Sequence, residues 1–188
     1  MDASFGTLRR HQLDDRAWID HAPGWLSGSE TVFDALLALG DWAQHDRLMY
    51  GNVVEQPRLN ASWHGPGGKA LLPVLDEAQR LLSARYGVDF TSGHGGMNFY
   101  RDGRDSVAWH RDKIPPSVSD PHVVIISVGE PRTFRLRPRG GGQGRSLSFR
   151  LGHGDLLVTG GTFQRTWEHS VPKVASAGPR ISITMRHA

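Results

Sequence analysis

The chain lacks several features that would each indicate a class of protein. None of its 188 residues is cysteine, which excludes disulfides, zinc fingers, iron–sulfur clusters and thiol nucleophiles. Any metal must therefore be held by His, Asp, Glu or backbone oxygen. Long apolar runs are also missing, since the longest strongly apolar one is Val123 to Ile126 and no apolar signal segment opens the sequence. We therefore expect a soluble, cytoplasmic protein with no membrane segment.

Acidic residues are scarce in the second part of the chain. The net charge of +3 combines −4 over residues 1–60 with +7 over residues 61–188. The stretch from Thr133 to Gly154 contains no acid and five arginines, namely Arg135, Arg137, Arg139, Arg145 and Arg150. Arginine binds phosphate bidentately, so this stretch fits a polyanion-binding surface. An ordinary solvated face of an arginine-rich protein is the alternative, and charge alone leaves both open.

Short strand-like segments separated by Gly, Pro and Asp fill the chain from Gly96 onward. About eight are recognisable: Met97–Arg101, Val107–His110, Val123–Val128, Thr133–Arg137, Ser146–Leu151, Asp155–Thr159, Thr166–His169 and Ile181–Arg186. Strands at this spacing predict a sandwich or barrel rather than alternating β/α units. The simplest architecture is a double-sheet jelly roll in a single domain covering 1–188, of α+β class and mainly β.

The first 95 residues look helical and peripheral. Ser27 and Glu30 are spaced as a capping box ahead of the helical pattern at Val32. A second helix is predicted over about Lys69 to Tyr86, because apolar residues recur at helical spacing and a glycine follows. We expect residues 1–95 to form a helical brace for a β-rich catalytic core at 96–188.

Two His-x-Asp pairs are present, and one is expected by chance in such a chain. His110 and Asp112 can share one face of a strand, and the distant His169 can join them from a later strand. His153 and Asp155 lie only 14 residues before His169 and open an apolar strand, which suits a turn whose Asp accepts backbone N–H bonds. Two imidazoles and one carboxylate are what non-heme Fe(II) requires. His110, Asp112 and His169 are therefore the predicted ligands.

The last strand-like segment contains two arginines on one face. Arg180 and Arg186 are six residues apart, with Ser182 and Thr184 between them on that face. A dicarboxylate bound across iron needs bidentate cationic recognition at its far end, which arginine supplies. A basic edge strand that prevents aggregation is the alternative. Two further residues at i, i+2 spacing can add hydrogen bonds from a neighbouring strand: Asn98 and Tyr100.

Together these motifs resemble the AlkB-type Fe(II)/2-oxoglutarate nucleic-acid dealkylases. The matching positions run from Met97 to Arg186: Asn98-x-Tyr100-x-x-Gly103-x-Asp105, Trp109-His110-x-Asp112, Ser127-x-Gly129-x-x-Arg132-x-Phe134, His153-Gly-Asp155-Leu-Leu, Gln164-x-x-Trp167-x-His169 and Arg180-x5-Arg186. The resemblance implies iron ligands at His110, Asp112 and His169. It implies 2-oxoglutarate contacts at Asn98, Tyr100, Arg180, Ser182 and Arg186, with Arg180 on the distal carboxylate and Arg186 nearer the iron.

Residues 57–63 resemble, more loosely, the nucleotide-recognition lid of these enzymes. Tyr50 and Trp63 are expected to stack on a flipped base, with core packing as the alternative for both. Nucleic-acid contacts are further expected at Arg58, Arg139 and Arg145. The chain also departs from the family pattern, since several relatives have Asn where Ser182 stands and an acid where this chain has Ile114-Pro115-Pro116.

The resemblance implies oxidative removal of N-alkyl groups from bases of the 1-methyladenine and 3-methylcytosine type, in DNA or RNA. Fe(II), 2-oxoglutarate and O2 are the implied cofactors, and a monomer is expected. Two other functions stay open: a 2-oxoglutarate oxygenase acting on a protein or small molecule, and a nucleic-acid-binding jelly roll without catalysis. The basic stretch favours a nucleic-acid partner over the first of these.

Overall fold

Antiparallel strands dominate the structure. The computed structural model describes residues 1–49, 52–64, 71–91, 95–140 and 146–187. The strands in these ranges are β1 Arg9–Gln12, β2 Ala17–Ala22, β3 Ala43–Met49, β4 Asn52–Ala61, β5 Gly95–Tyr100, β6 Val107–His110, β7 Val123–Gly129, β8 Arg132–Pro138, β9 Leu147–Leu151, β10 Asp155–Gly161, β11 Trp167–Val171 and β12 Arg180–Arg186. The helices are α1 Ser29–Leu39, α2 Pro73–Tyr86 and α3 Phe163–Thr166.

The strands form a major and a minor sheet. The major sheet has the order β1-β2-β10-β7-β12-β5-β4-β3, and the minor sheet has the order β6-β11-β8-β9. Side chains from both sheets meet in one buried cluster, in which Ile125 and Leu157 of the major sheet join Phe134 and Leu136 of the minor sheet. This double-sheet arrangement confirms the predicted mainly β, jelly-roll fold class.

Helices α1 and α2 cover the other face of the major sheet. Along β7, Val124 and Ile126 belong to the cluster that contains the helix residues Leu36 and Leu82, whereas Ile125 belongs to the cluster between the sheets. A strand buried on both faces reads as a continuous apolar run, which explains the Val123–Ile126 sequence. In the described ranges, every helix is too short or too polar to cross a membrane.

The N-terminal third differs from the prediction. It contains β1 to β4 besides α1, so the predicted bracing helices are present but these four strands were not predicted. The capping box was wrong, because Ser27 Oγ accepts a hydrogen bond from the ammonium group of Met1 at 2.9 Å and α1 begins after Gly28 without a side-chain cap. Helix α2 ends as predicted at Gly87, whose φ is 67°. Its predicted start at Lys69 lies outside the described residues.

The His153-x-Asp155 pair forms the predicted turn. Asp155 is 7% exposed, and its carboxylate accepts hydrogen bonds from three groups: the Gly152 N–H at 2.8 Å, the Gly24 N–H at 2.9 Å and His21 Nε2 at 3.0 Å. His153 Nδ1 accepts a hydrogen bond from the Gly129 N–H at 2.7 Å. Asp155 therefore joins this turn to the N-terminal segment and His153 joins it to the end of β7, as expected of a structural pair.

Replacing Asp155 by asparagine should destabilise the protein in a pH-dependent way. Burial opposes ionisation, but the bonds from His21, Gly152 and Gly24 outweigh it and keep the pKa of Asp155 below its ordinary value of 3.8. The stabilisation is therefore complete above the unfolded pKa and is lost as pH falls through the folded pKa. We expect Asp155→Asn to lower the free energy of unfolding by about 2 kcal/mol at pH 7.

Urea denaturation from pH 7 down to pH 3 measures this effect. The difference between wild type and Asp155→Asn should shrink as the pH approaches 3, while Asp15→Asn, at an exposed position, should change little at any pH. An equal difference at every pH would mean that the charge of Asp155 contributes nothing.

Candidate metal and co-substrate site

Strand pairing places two predicted ligands side by side. Strand β6 runs antiparallel to β11 with His110 opposite His169, and their ring centroids are 4.2 Å apart. His110 Nδ1 lies 2.9 Å from the Ala108 carbonyl, so we assign the proton to Nδ1 and the free lone pair to Nε2. His169 is 6% exposed and packs against Phe134 with a centroid distance of 5.1 Å. Its Nδ1 has no partner among the described residues, so packing orients this ring.

Asp112 lies two residues beyond the end of β6, so side-chain alternation along a strand does not position it. Its backbone N–H donates to Gln164 Oε1 at 2.9 Å, and Gln164 Nε2 donates to Thr159 Oγ1 at 3.2 Å. The carboxylate Oδ2 is 3.6 Å from His169 Nε2, and Oδ1 accepts a hydrogen bond from Arg186 Nε at 2.9 Å. The buried Gln164, to which the sequence analysis gave no role, therefore holds the predicted carboxylate ligand in place.

The three predicted ligands have the protonation states that a dication requires. Burial lowers the pKa of His169 to about 3 and also lowers the pKa of His110. Burial opposes ionisation of Asp112, but Coulombic interactions with His169 and Arg186 outweigh it, so its pKa lies below the ordinary value. Because His169 is neutral at pH 7, Arg186 is the group that keeps Asp112 ionised. Neutral imidazoles and an ionised carboxylate are competent ligands.

The donor set fits Fe(II), although its geometry is not that of a completed site. In the described part of the chain, no three His, Asp or Glu side chains enclose a common point suited to a metal ion. Arg186 binds one oxygen of Asp112, Oδ1. The other oxygen, Oδ2, faces His169 Nε2 and is the atom available to a metal. Two imidazoles and one carboxylate remain the ligand chemistry of non-heme iron.

Arg180 is a buried cation, and its surroundings fit an anionic ligand. The residue is 1% exposed, its guanidinium lies 5.1 Å from the Tyr100 ring centroid, and its Nε donates to Ser127 Oγ at 2.9 Å. Its Nη1 is buried without a hydrogen-bond partner in the described ranges, and burial lowers the pKa of Arg180. Because a buried charge without a counter-ion is costly, a ligand carboxylate is the group that this position fits.

One cavity joins the metal ligands to Arg180. Its volume is about 430 Å³, which is ample for a five-carbon dicarboxylate. Its lining includes all eight residues predicted for iron and 2-oxoglutarate: His110, Asp112, His169, Asn98, Tyr100, Arg180, Ser182 and Arg186. Arg180 and Arg186 lie on the same face of β12, as alternation predicts, and Arg186 lies at the Asp112 end. The cavity is therefore cationic and has a metal-ligand set at one end.

Strand β4 orients the predicted co-substrate residue Asn98. Its Oδ1 accepts hydrogen bonds from Arg58 Nε and Asn60 Nδ2, both at 2.8 Å. The amide Nδ2 is consequently the group left to donate into the cavity. Arg58, expected to contact nucleic acid, lines the cavity and holds Asn98. Asn60 was missed because β4 was not predicted, and only its pairing opposite Asn98 reveals its role.

Four of the predicted base and phosphate contacts lie away from the cavity or outside the described residues. The prediction that Trp63 stacks on a base was wrong, since this residue is 0% exposed and its Nε1 donates to the Thr184 carbonyl at 3.1 Å. An indole buried in the core with its N–H bonded has no face for a base. Arg139 is exposed but does not line the cavity. Tyr50 and Arg145 lie outside the described residues.

The basic region around β8 is less uniform than its sequence suggests. Arg132 is 2% exposed and donates to the backbone carbonyls of Asp102, Asp105 and Pro172. Arg137 pairs with Glu168 at 2.8 Å. Both arginines therefore have partners within the fold. Among the described residues of this region, the exposed cations are Arg135, Arg139 and Arg150.

Comparison with known proteins assigns the family. The sequence model of the 2OG-Fe(II) oxygenase superfamily matches residues 20–186. The chain belongs to this superfamily. The name of the superfamily contains the predicted Fe(II) and 2-oxoglutarate, and an oxygenase is a member of the predicted enzyme class that uses O2. The three residues that fit the iron and the buried arginine that fits a carboxylate are thus found in a chain whose family uses both.

The AlkB resemblance is confirmed by relatives of known name. The chain is 31% identical over 183 residues to the alpha-ketoglutarate-dependent dioxygenase alkB homolog 3 of Bos taurus, which covers 87% of this chain and 64% of the relative. It is 35% identical over 196 residues to the DNA oxidative demethylase ALKBH2 of Arabidopsis thaliana, covering 84% of this chain and 62% of the relative. The chain therefore spans a little under two thirds of the length of each of these relatives.

Solved structures support the fold. A prolyl hydroxylase from Trichoplax adhaerens, in complex with a hypoxia inducible factor oxygen degradation domain peptide, matches with a TM-score of 0.63 and 15% identity, over 90% of this chain and 82% of that one. An oxidoreductase of the 2OG-Fe(II) oxygenase family from Burkholderia pseudomallei matches with a TM-score of 0.60 and 16% identity, over 90% and 84%. At such identities the likeness concerns the fold alone.

Proposed function

We propose that the protein is an oxidative demethylase of N-alkylated bases, of the 1-methyladenine and 3-methylcytosine type, in DNA or RNA. Fe(II) and 2-oxoglutarate, when bound, supply the oxidation of a C–H bond by O2. The observation that carries the proposal is Arg180, a buried cation in the same cavity as two histidines and an aspartate. The names of the relatives, which include a DNA oxidative demethylase, support nucleic acid as the substrate.

The side chains of the site divide into those for the metal and those for the co-substrate. His110, His169 and Asp112 would hold the iron, with Nε2 of each histidine and Oδ2 of Asp112 as the available atoms. Arg180 would bind the distal carboxylate of 2-oxoglutarate with Nη1 while its Nε stays bonded to Ser127. Arg186 keeps Asp112 ionised and provides positive charge beside the iron end.

Bound Fe(II) and 2-oxoglutarate would supply one oxygen atom of O2 to a C–H bond of the N-methyl group, while the other oxygen atom would leave in succinate, formed from 2-oxoglutarate with loss of CO2. The resulting N-hydroxymethyl base breaks its N–C bond to release formaldehyde and the unmodified base. The chain's own contribution is to hold the reactants in line within the cavity.

The surface chemistry supports a nucleic-acid substrate over a protein or small molecule. Arg135, Arg139 and Arg150 are exposed and fit phosphates. No comparable observation favours the oxygenase acting on a protein or small molecule, or the non-catalytic binding module. Monomeric state and cytoplasmic location stay predictions.

Formaldehyde release from methylated oligonucleotides tests the proposal. Product should appear from oligonucleotides carrying 1-methyladenine or 3-methylcytosine only when Fe(II) and 2-oxoglutarate are both supplied. Affinity for single-stranded DNA should fall about tenfold or more between 50 and 200 mM salt, as a few neutralised phosphates require. Replacing Arg135, Arg139 and Arg150 together by Gln should flatten this dependence. If 2-oxoglutarate binds but no alkylated DNA or RNA yields product, the proposed substrate is refuted.

A further inference from the structure

Cations line both approaches to the site. The 430 Å³ cavity has five basic side chains on its walls: Arg58, Arg111, Lys113, Arg180 and Arg186. A second cavity of about 490 Å³ shares residues 110–113 with the first and adds Arg165. Both cavities include His110 and Asp112 in their linings, so a base that enters either of them meets positive charge.

The carboxylates of these walls are already engaged. Asp112 is a predicted iron ligand and is ion-paired with Arg186. Glu168, in the second cavity, is ion-paired with Arg137 at 2.8 Å. No other Asp or Glu of the described chain lines either cavity. The segments outside the described ranges contain neither Asp nor Glu, so they cannot supply a carboxylate.

Among N-methylated bases, we propose that the site turns over the neutral keto lesions, 1-methylguanine and 3-methylthymine, faster than the cationic amino lesions 1-methyladenine and 3-methylcytosine, which remain slower substrates. The inference rests on the proposed function and refines its substrate class. Methylation at adenine N1 or cytosine N3 uses a ring lone pair and leaves a positive charge. Methylation at guanine N1 or thymine N3 replaces a proton and leaves the base neutral. Because the cavity stays cationic after it binds a dianionic co-substrate, a cationic base is repelled.

Hydrogen-bonding groups on the bases favour the same lesions independently of net charge. Guanine O6 and thymine O4, beside the methylated nitrogen, are acceptors, whereas adenine N6 and cytosine N4 carry donor amino groups. Arginine and lysine side chains only donate. Lys113 is exposed and lines both cavities, so its ammonium is placed to donate to a keto oxygen. An amino group at the same point would face another donor.

Four oligonucleotides of one sequence, each with a different methylated base, test the proposal. We expect kcat/KM for formaldehyde release to be at least tenfold higher for each neutral lesion than for each cationic one. Competition binding, followed by fluorescence anisotropy without turnover, should give the same order. Equal values, or a preference for the cationic lesions, would overturn the inference alone. Absence of product from all four would overturn the proposed function and the inference with it.

A charge placed at Ile114 tests the electrostatic cause. Ile114 is half-buried and lines the second cavity beside Asp112 and Lys113. Ile114→Glu should shift the ratio of kcat/KM values at least tenfold toward the cationic lesions. Ile114→Gln, of similar size but neutral, should keep the wild-type ratio. A thermal melt of both variants checks that they fold, and an unchanged ratio in a folded Ile114→Glu protein would contradict the proposal.

Discussion

Replacing His110 by alanine should reduce formaldehyde release by about 10³-fold or more while changing oligonucleotide affinity less than about threefold. The loss follows because His169 and Asp112 alone leave the iron with too few protein ligands. Affinity should persist because the exposed arginines Arg135 and Arg150 lie outside the cavity. On the same preparation, anaerobic Fe(II) titration measures iron binding, an activity assay measures formaldehyde release, and fluorescence anisotropy measures oligonucleotide affinity.

His153→Ala is the matched control, since it alters the other His-x-Asp pair. It removes the hydrogen bond from the Gly129 N–H, so we expect about 1 kcal/mol less stability with iron binding intact. Iron lost from His153→Ala but retained by His110→Ala would mean that the metal site was assigned to the wrong pair.

Replacing Arg180 by methionine should raise the KM for 2-oxoglutarate about 100-fold or more, because the ion pair with the distal carboxylate and the charge-assisted hydrogen bond from Nη1 are lost. The maximal rate at saturating 2-oxoglutarate should fall much less. Without 2-oxoglutarate, the variant should be as stable as the wild type or more stable, because an apolar side chain replaces a buried cation. A gain in stability combined with a loss of co-substrate affinity is typical of a binding residue.

Arg132→Met provides the contrast for this prediction. Arg132 is similarly buried, but it donates to three carbonyls of its own chain, so its replacement should lower stability in the presence and absence of 2-oxoglutarate. Melting temperatures with and without 2-oxoglutarate distinguish the two variants, since ligand binding to the folded state raises the melting temperature. If Arg180→Met kept the wild-type KM for 2-oxoglutarate, Arg180 would not be a residue that binds the co-substrate.

The catalytic core could be read from the sequence because its determinants are local. Each strand predicted after Gly96 is present, with ends shifted by at most two residues, since Gly, Pro and Asp turns separate apolar segments. The position of His110 opposite His169 follows once β6 and β11 are paired. The common face of Arg180 and Arg186 follows from alternation along β12.

The peripheral strands and the supporting side chains could not be predicted. Every residue of β1 is exposed, so β1 lacks the alternation that marks a half-buried strand. The contacts of Gln164 with Asp112 and of Asn60 with Asn98 join residues 52 and 38 positions apart. Such contacts depend on tertiary pairing that no local pattern encodes. For Trp63, residue type fits both base stacking and core packing, and only the fold decides between them.

Formaldehyde and succinate, measured together in one reaction, show whether the protein couples the oxidation of 2-oxoglutarate to the demethylation of a base. The protein, with Fe(II) and 2-oxoglutarate, is given matched oligonucleotides with and without a methylated base. For an oxidative demethylase we expect one formaldehyde per succinate, after subtraction of the succinate formed with the unmethylated strand. Succinate formed at the same rate on methylated and unmethylated strands, with no formaldehyde from any lesion, would contradict this expectation.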